Sequence, residues 1–239
     1  MGRILFRPAV DPRRQVSAAA FLLGSAALQC IAAAERWLVA PTTWTRRDRW
    51  IEDHLFDYSY PADPWENIGA AAQWFGAGFL LLAAGVLVLV GRGHGPAPGL
   101  SRMAAVSTAV GLGLTGVHAL ASGVLGAPTF LQWPIILFSV VAFAGLIVLV
   151  AVSIRSAPAT ALTSALLLMT TVPGYIFACF VIAPAVVGSS SYDTTPHTET
   201  VIAVATAAAA AVLLIASSIS ALRRTIARRP TGEARLAEV

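Results

Sequence analysis

Charge is scarce in this chain. Only 12% of its 239 residues are Asp, Glu, Lys or Arg, about half the share of an ordinary soluble domain. With 57% hydrophobic residues and a mean hydropathy of +0.74, the chain has too little polar surface to face water all round. Lipid is the solvent that fits. Lysine is absent, so all 16 basic residues are Arg. Together with abundant Ala this reads as the coding bias of a GC-rich bacterial genome. The net charge of +4 does not point to nucleic acid. Most Arg residues stand at the ends of apolar runs, where membrane topology accounts for them.

Cysteine is nearly absent too. Cys30 and Cys179 each lie inside an apolar run, where a thiol behaves as a small hydrophobe. Neither has CxxC or zinc spacing, and a disulfide framework is not expected. Histidine is missing from the apolar runs except at His118; His54, His94 and His197 fall in loops. Paired-histidine haem ligation therefore has no second ligand at the right depth. No GxSG, HExxH, EF-hand or paired-glutamate protease signature occurs. Ser189, Ser190 and Ser191 have no base beside them closer than His197. No cofactor and no metal site is expected, although Glu52, Asp53, His54, Asp57, Asp63 and Glu66 of the long loop could furnish oxygen and imidazole ligands for a divalent ion.

What the chain does have is six long apolar runs. They cover about residues 16–34, 68–90, 103–125, 133–154, 161–187 and 201–222, each near the 20 or so residues that cross a bilayer core. The expected fold is all-α: a polytopic membrane protein with six transmembrane helices. It divides into a basic tail (1–15), a transmembrane domain (16–222) and a second tail (223–239). The first run also resembles a signal peptide, with a basic start and Ala32, Ala33 and Ala34 as a small-residue cleavage site; an uncleaved anchor is the preferred reading. Arg92, Arg102, Arg155, Arg223 and Arg224 all fall on one side if the runs alternate. The positive-inside rule then puts both termini in the cytoplasm of a cell membrane.

The one extended polar segment between spans is the loop 35–66, expected on the outer side as a structured cap. Trp37, Trp44, Trp50, Trp65 and Trp133 gather on that side, as an interfacial belt would place them. Its acids, including Glu35, Asp53, Asp57, Asp63 and Glu66, outnumber its Arg residues. Within it, Asp63-Pro64-Trp65-Glu66 reads as a helix start, with Asp63 as cap, Pro64 first and Glu66 at the third position.

Three features inside the spans have both a bland and a sharp reading. Gly69, Gly76, Gly78 and Gly85 in the second run, and Gly111, Gly113, Gly116 and Gly123 in the third, suit close helix packing or an oligomer seam. Pro173-Gly174 breaks the fifth run, giving a static kink or the kind of discontinuous helix from which transporters build sites. His118 is a satisfied neutral imidazole, or it meets Glu35, Glu66 or Tyr175 in a cavity. Candidate binding residues are His54, Glu66, His118 and Tyr175; candidate acid–base residues are His118, Glu66 and Asp53.

The leading functional expectation is non-enzymatic. An accessory, assembly or partner-binding protein would use the acidic, aromatic loop, or its Gly-rich second and third helices, against another membrane protein. A small-solute or ion transporter or channel is the second reading. An outer-facing membrane enzyme with an acid/His pair is the third.

Overall fold

The computed structural model describes residues 11–40, 54–91, 97–188 and 194–227. Among them all regular structure is helical: α1 (Pro12–Ala34), α2 (Ala71–Val90), α3 (Pro98–Leu125), α4 (Ile135–Ser153), α5 (Pro158–Leu167), α6 (Val172–Phe177), α7 (Ala183–Val187) and α8 (Thr198–Ala227). The chain is a polytopic helical membrane protein. Five of its helices are long and apolar enough to cross a bilayer, and α5 with α6–α7 makes a sixth crossing if that bent pair is counted as one span.

Each long helix packs on the next in order, α5 packs on α8, and α8 returns to α1. The bundle is therefore a closed ring of six positions. Lipid tails are as apolar as Leu, so helices in a membrane associate through close contact rather than through escape from water. The glycines supply that contact. A Cβ on Gly76 would lie 2.5 Å from the Leu120 nitrogen and 2.6 Å from the Gly116 oxygen, so α2 and α3 touch backbone to backbone. Gly78 and Gly85 admit the Ser25 and Ala18 turns of α1, and Gly145 of α4 admits Ala104 and Thr108 of α3. These glycines serve packing within the chain.

Residues 54–70 cover one end of the bundle. Two expectations about this segment need correction. First, the helix does not start at Asp63-Pro64. The chain stays irregular there, and α2 begins only at Ala71. The local signature lost because Asp63 is engaged elsewhere: its N–H donates to Gln132 Oε1 (3.0 Å), and its carboxylate accepts from Gln132 Nε2 (3.2 Å). The orphan N–H of Ala70 is met instead by Glu35 Oε2 at 2.8 Å. Gly69 precedes it at φ +52° with Glu35 against it, a conformation that side chains disfavour. Second, two tryptophans of the expected belt face inward. Trp65 is buried, with Nε1 donating to the Asp57 carbonyl at 3.0 Å, and Trp37 donates to Glu199. Trp133 is exposed as a belt residue would be. Trp44 and Trp50 lie outside the described residues.

The fifth run is broken rather than gently kinked. After a 3-10 turn at Leu168–Thr170 the chain bends by 76° at Thr171 and resumes as α6. Pro173 fixes the break, since it cannot continue the hydrogen-bond ladder from α5. The freed groups find hydroxyls. Thr170 Oγ1 donates to Leu167 O (2.7 Å), Thr171 Oγ1 donates to Leu168 O (2.6 Å), and Val172 N–H donates to Ser139 Oγ of α4 (2.5 Å). No residue larger than Gly174 fits the break, because an added Cβ there would run into the Leu168 carbonyl.

Candidate functional site

The covered end of the bundle holds a buried ionic cluster built from four separate parts of the chain. Arg36 ends the first span, in a π-helical turn at Glu35–Val39, and its side chain is 0% exposed. Glu199 is the second residue of α8, near a helix N-terminus that favours a carboxylate. The Arg36 Nη1 to Glu199 Oε1 distance is 2.5 Å. The guanidinium also lies 4.7 Å from the centre of the Trp37 ring, a cation–π contact. Glu199 further accepts from Trp37 Nε1 (2.7 Å) and from the Tyr175 hydroxyl of α6 (3.5 Å). Asp57 approaches from the cap, 3.7 Å from Arg36 Nη1.

The cap reaches the broken span at a second point. The Tyr60 ring meets Tyr175 edge-on, with centroids 5.7 Å apart, and Tyr60 hydrogen-bonds Ser139. Ser139 is the residue that receives the Val172 N–H. One hydroxyl thus joins the cap, α4 and the helix break. Ser139→Ala should leave a half-buried amide without its partner and cost about 1–3 kcal/mol, read as a lower thermal unfolding midpoint in detergent.

Burial raises three groups of the cap. Asp57 moves from 3.8 to about 6, chiefly through desolvation, which outweighs the opposing pull of Arg36; Glu199 adds to the rise. Tyr58 and Tyr60 are also pushed up by burial. The sign for Asp57 is the reverse of an ordinary salt-bridged acid. Between pH 3.8 and about 6 the folded protein holds a proton that the unfolded chain has lost. Its contribution to stability is full below that window and fades as pH rises through it. Asp57→Asn should remove this pH dependence, as followed by thermal unfolding from pH 4 to pH 8.

His118 is not part of the cluster. Its Nε2 faces the Pro61 carbonyl at 2.8 Å and its Nδ1 faces the Thr129 hydroxyl at 2.7 Å. A carbonyl only accepts, so Nε2 carries the proton and Nδ1 accepts from Thr129. The imidazole is a latch between α3, the cap and the turn before α4. Of the two readings of His118 it is the hydrogen-bonded one that the structure shows; the alternative encounter with Glu35, Glu66 or Tyr175 does not form, because both ring nitrogens are committed elsewhere. Glu35 is committed too, to Ala70 and Trp74. Glu66 is exposed, and its backbone N–H bonds Leu55 O. His54 opens a 3-10 turn, His54–Phe56. Asp53 and Ser189–Ser191 lie outside the described residues. His118→Ala should cost about 1–3 kcal/mol and speed proteolysis of the cap.

Of the candidate binding and acid–base residues whose side chains are described, Tyr175 alone sits in the cluster. Asp57 is among the loop acids that the sequence offers as cation ligands; Arg36 and Glu199 are not marked out by it. Their signal was weak but real: one Arg and one Glu at matching ends of the first and last apolar runs. Comparison with protein-family models, with curated proteins and with solved structures finds no match.

Proposed function

We propose that this protein handles a small solute or ion at the capped end of its bundle, as a transporter or channel. The observation that supports it is the buried Arg36–Glu199 pair sharing Tyr175 with a span broken by 76°. Ionisable groups at membrane depth mark solute and ion paths more often than they serve stability. Discontinuous helices are a recurrent way of placing such groups where a solute can reach them. We place the protein in a bacterial cell membrane with both termini cytoplasmic and the cap outside, from its Arg distribution.

The acidic and aromatic cap is a weaker basis for partner binding than its composition suggests. Among the described residues Asp57, Asp63 and Trp65 are turned to Arg36, Gln132 and the Asp57 carbonyl. An accessory role keeps one favourable observation, the exposed rim of Phe130 (79%) and Trp133 (83%). The test is flux. Purified protein in liposomes, under imposed proton, sodium and potassium gradients, should carry flux that Glu199→Gln lowers by about tenfold or more. Flux equal to that of empty liposomes under every gradient would contradict the proposal, and a partner retained through mild detergent extraction would then favour the accessory reading.

A further inference from the structure

We propose that the turn Asp57–Tyr58–Ser59, facing Arg36 and Glu199, is the binding site of a single exchangeable monovalent cation. This rests on the solute-handling reading and names its solute class.

Charge at the turn is out of balance. Among the described residues, Arg36 is the one cation in the cluster, against two carboxylates. Its charge is committed to Glu199 at 2.5 Å, whose oxygens also receive Trp37 and Tyr175. Asp57 stands 3.7 Å from Arg36, beyond hydrogen-bond length, and receives backbone N–H groups from Ser59 at 2.9 Å and from Tyr60. One negative charge is left over in a largely dry site. Such a charge is neutralised by a proton or by a bound cation.

Two neutral groups at the turn are unsatisfied as well. The Tyr58 hydroxyl and Ser59 Oγ, on residues each 1% exposed, have no hydrogen-bond partner among the described residues. Buried hydroxyls are almost always satisfied, and exceptions point to an ordered water or ion. Both follow Asp57 directly in the chain, and the Tyr58 hydroxyl is within electrostatic range of Glu199, Arg36 and Asp57. The Tyr58 ring is held edge-on to Phe75 of α2, 5.5 Å between centroids.

The donors are a carboxylate, a phenol and an alcohol. They are hard oxygens, suited to an alkali ion or to a protonated carboxyl that donates onward. The residual charge of one admits one positive charge. No group of three or more His, Cys, Asp or Glu gathers among the described residues, so a multivalent ion lacks its usual ligand set. The other titratable groups facing the turn are Cys30 and Arg36 from the first span, Tyr60 from the cap, Tyr175 from α6 and Glu199 from α8; the His197 ring lies tilted against Trp37, 6.0 Å between centroids. Asp57 is 18% exposed, which gives the site an opening.

The full chain in detergent tests this with NaCl or KCl exchanged for N-methylglucamine chloride at constant ionic strength, at pH 8 and pH 5. Thermal unfolding and the fluorescence of Trp37 and Trp65 are the readouts. Saturable stabilisation by sodium or potassium at pH 8, displaced at pH 5, identifies the alkali ion. An alkali-independent transition near pH 6 identifies the proton. In either case Asp57→Asn abolishes the response, and Tyr58→Phe shifts its midpoint by about tenfold in ion or proton concentration, the effect of one hydrogen bond to a charged group. No response to either ion, or a response unchanged in both variants, overturns the site. Should Asp57→Asn fail to fold, Tyr58→Phe decides alone. A response in detergent without flux in liposomes sinks the transport reading and leaves the site standing; flux without any response sinks only the site.

Discussion

Arg36→Met should destabilise the protein by about 3–5 kcal/mol, the cost of stripping a buried charge of its partner. Methionine keeps much of the aliphatic stem, so the loss is electrostatic rather than a packing void. What remains is Glu199, itself 3% exposed, still bonded to Trp37 and Tyr175 but with no cation against it. Asp57 loses a neighbouring positive charge 3.7 Å away in the same stroke. The consequence reaches beyond stability. Arg36 joins the end of the first span to the start of the last, 163 residues apart, and holds the cap between them. The variant should unfold at a markedly lower temperature, and its cap residues should become accessible to protease before the bundle opens. A midpoint within a degree or two of the wild type would mean that the cluster is wet enough for water to replace the guanidinium.

Gly76→Leu should prevent correct assembly of α2 on α3. The atoms an added Cβ would meet are the Leu120 nitrogen and the Gly116 oxygen, both backbone and neither able to rotate away. Even Gly76→Ala forces the helices apart and should cost about 1–3 kcal/mol. Leucine adds three more carbons at the same point. Gly113→Ala is the matched control on α3, since its Cβ would sit 3.9 Å from Ala83, an ordinary contact. It should be neutral or slightly stabilising, because Ala is the better helix former. Size-exclusion profiles and unfolding midpoints in detergent separate the outcomes.

The spans were legible in the sequence because each is a local property: some 20 apolar residues in a row have only one stable environment. The glycine faces and the break at Pro173 were legible for the same reason, since missing side chains and a missing N–H act where they stand. The candidate site was not. Arg36 read as one of several loop arginines, and Glu199 as one polar residue in a run of polar residues. Their meaning depends on α8 packing against α1, which closes the ring. Asp63-Pro64 shows the opposite failure. Its helix-start pattern is sound in isolation, but a glutamine 69 residues away holds Asp63, and Glu35, 35 residues before Ala70, takes over the cap. His118 was visible as an oddity, and its neutral, doubly bonded role is what burial imposes on an imidazole with no carboxylate beside it.

The most direct measurement is a double-mutant cycle between Arg36 and Glu199, using Arg36→Met, Glu199→Gln and the two together, with stability read from denaturant or mixed-micelle unfolding. A buried pair predicts that the double variant is more stable than the sum of the single losses implies, by about 2 kcal/mol or more. Losses that add to within about 0.5 kcal/mol would mean that the two residues do not meet, and the closed ring, the cap and the site would all lose their keystone.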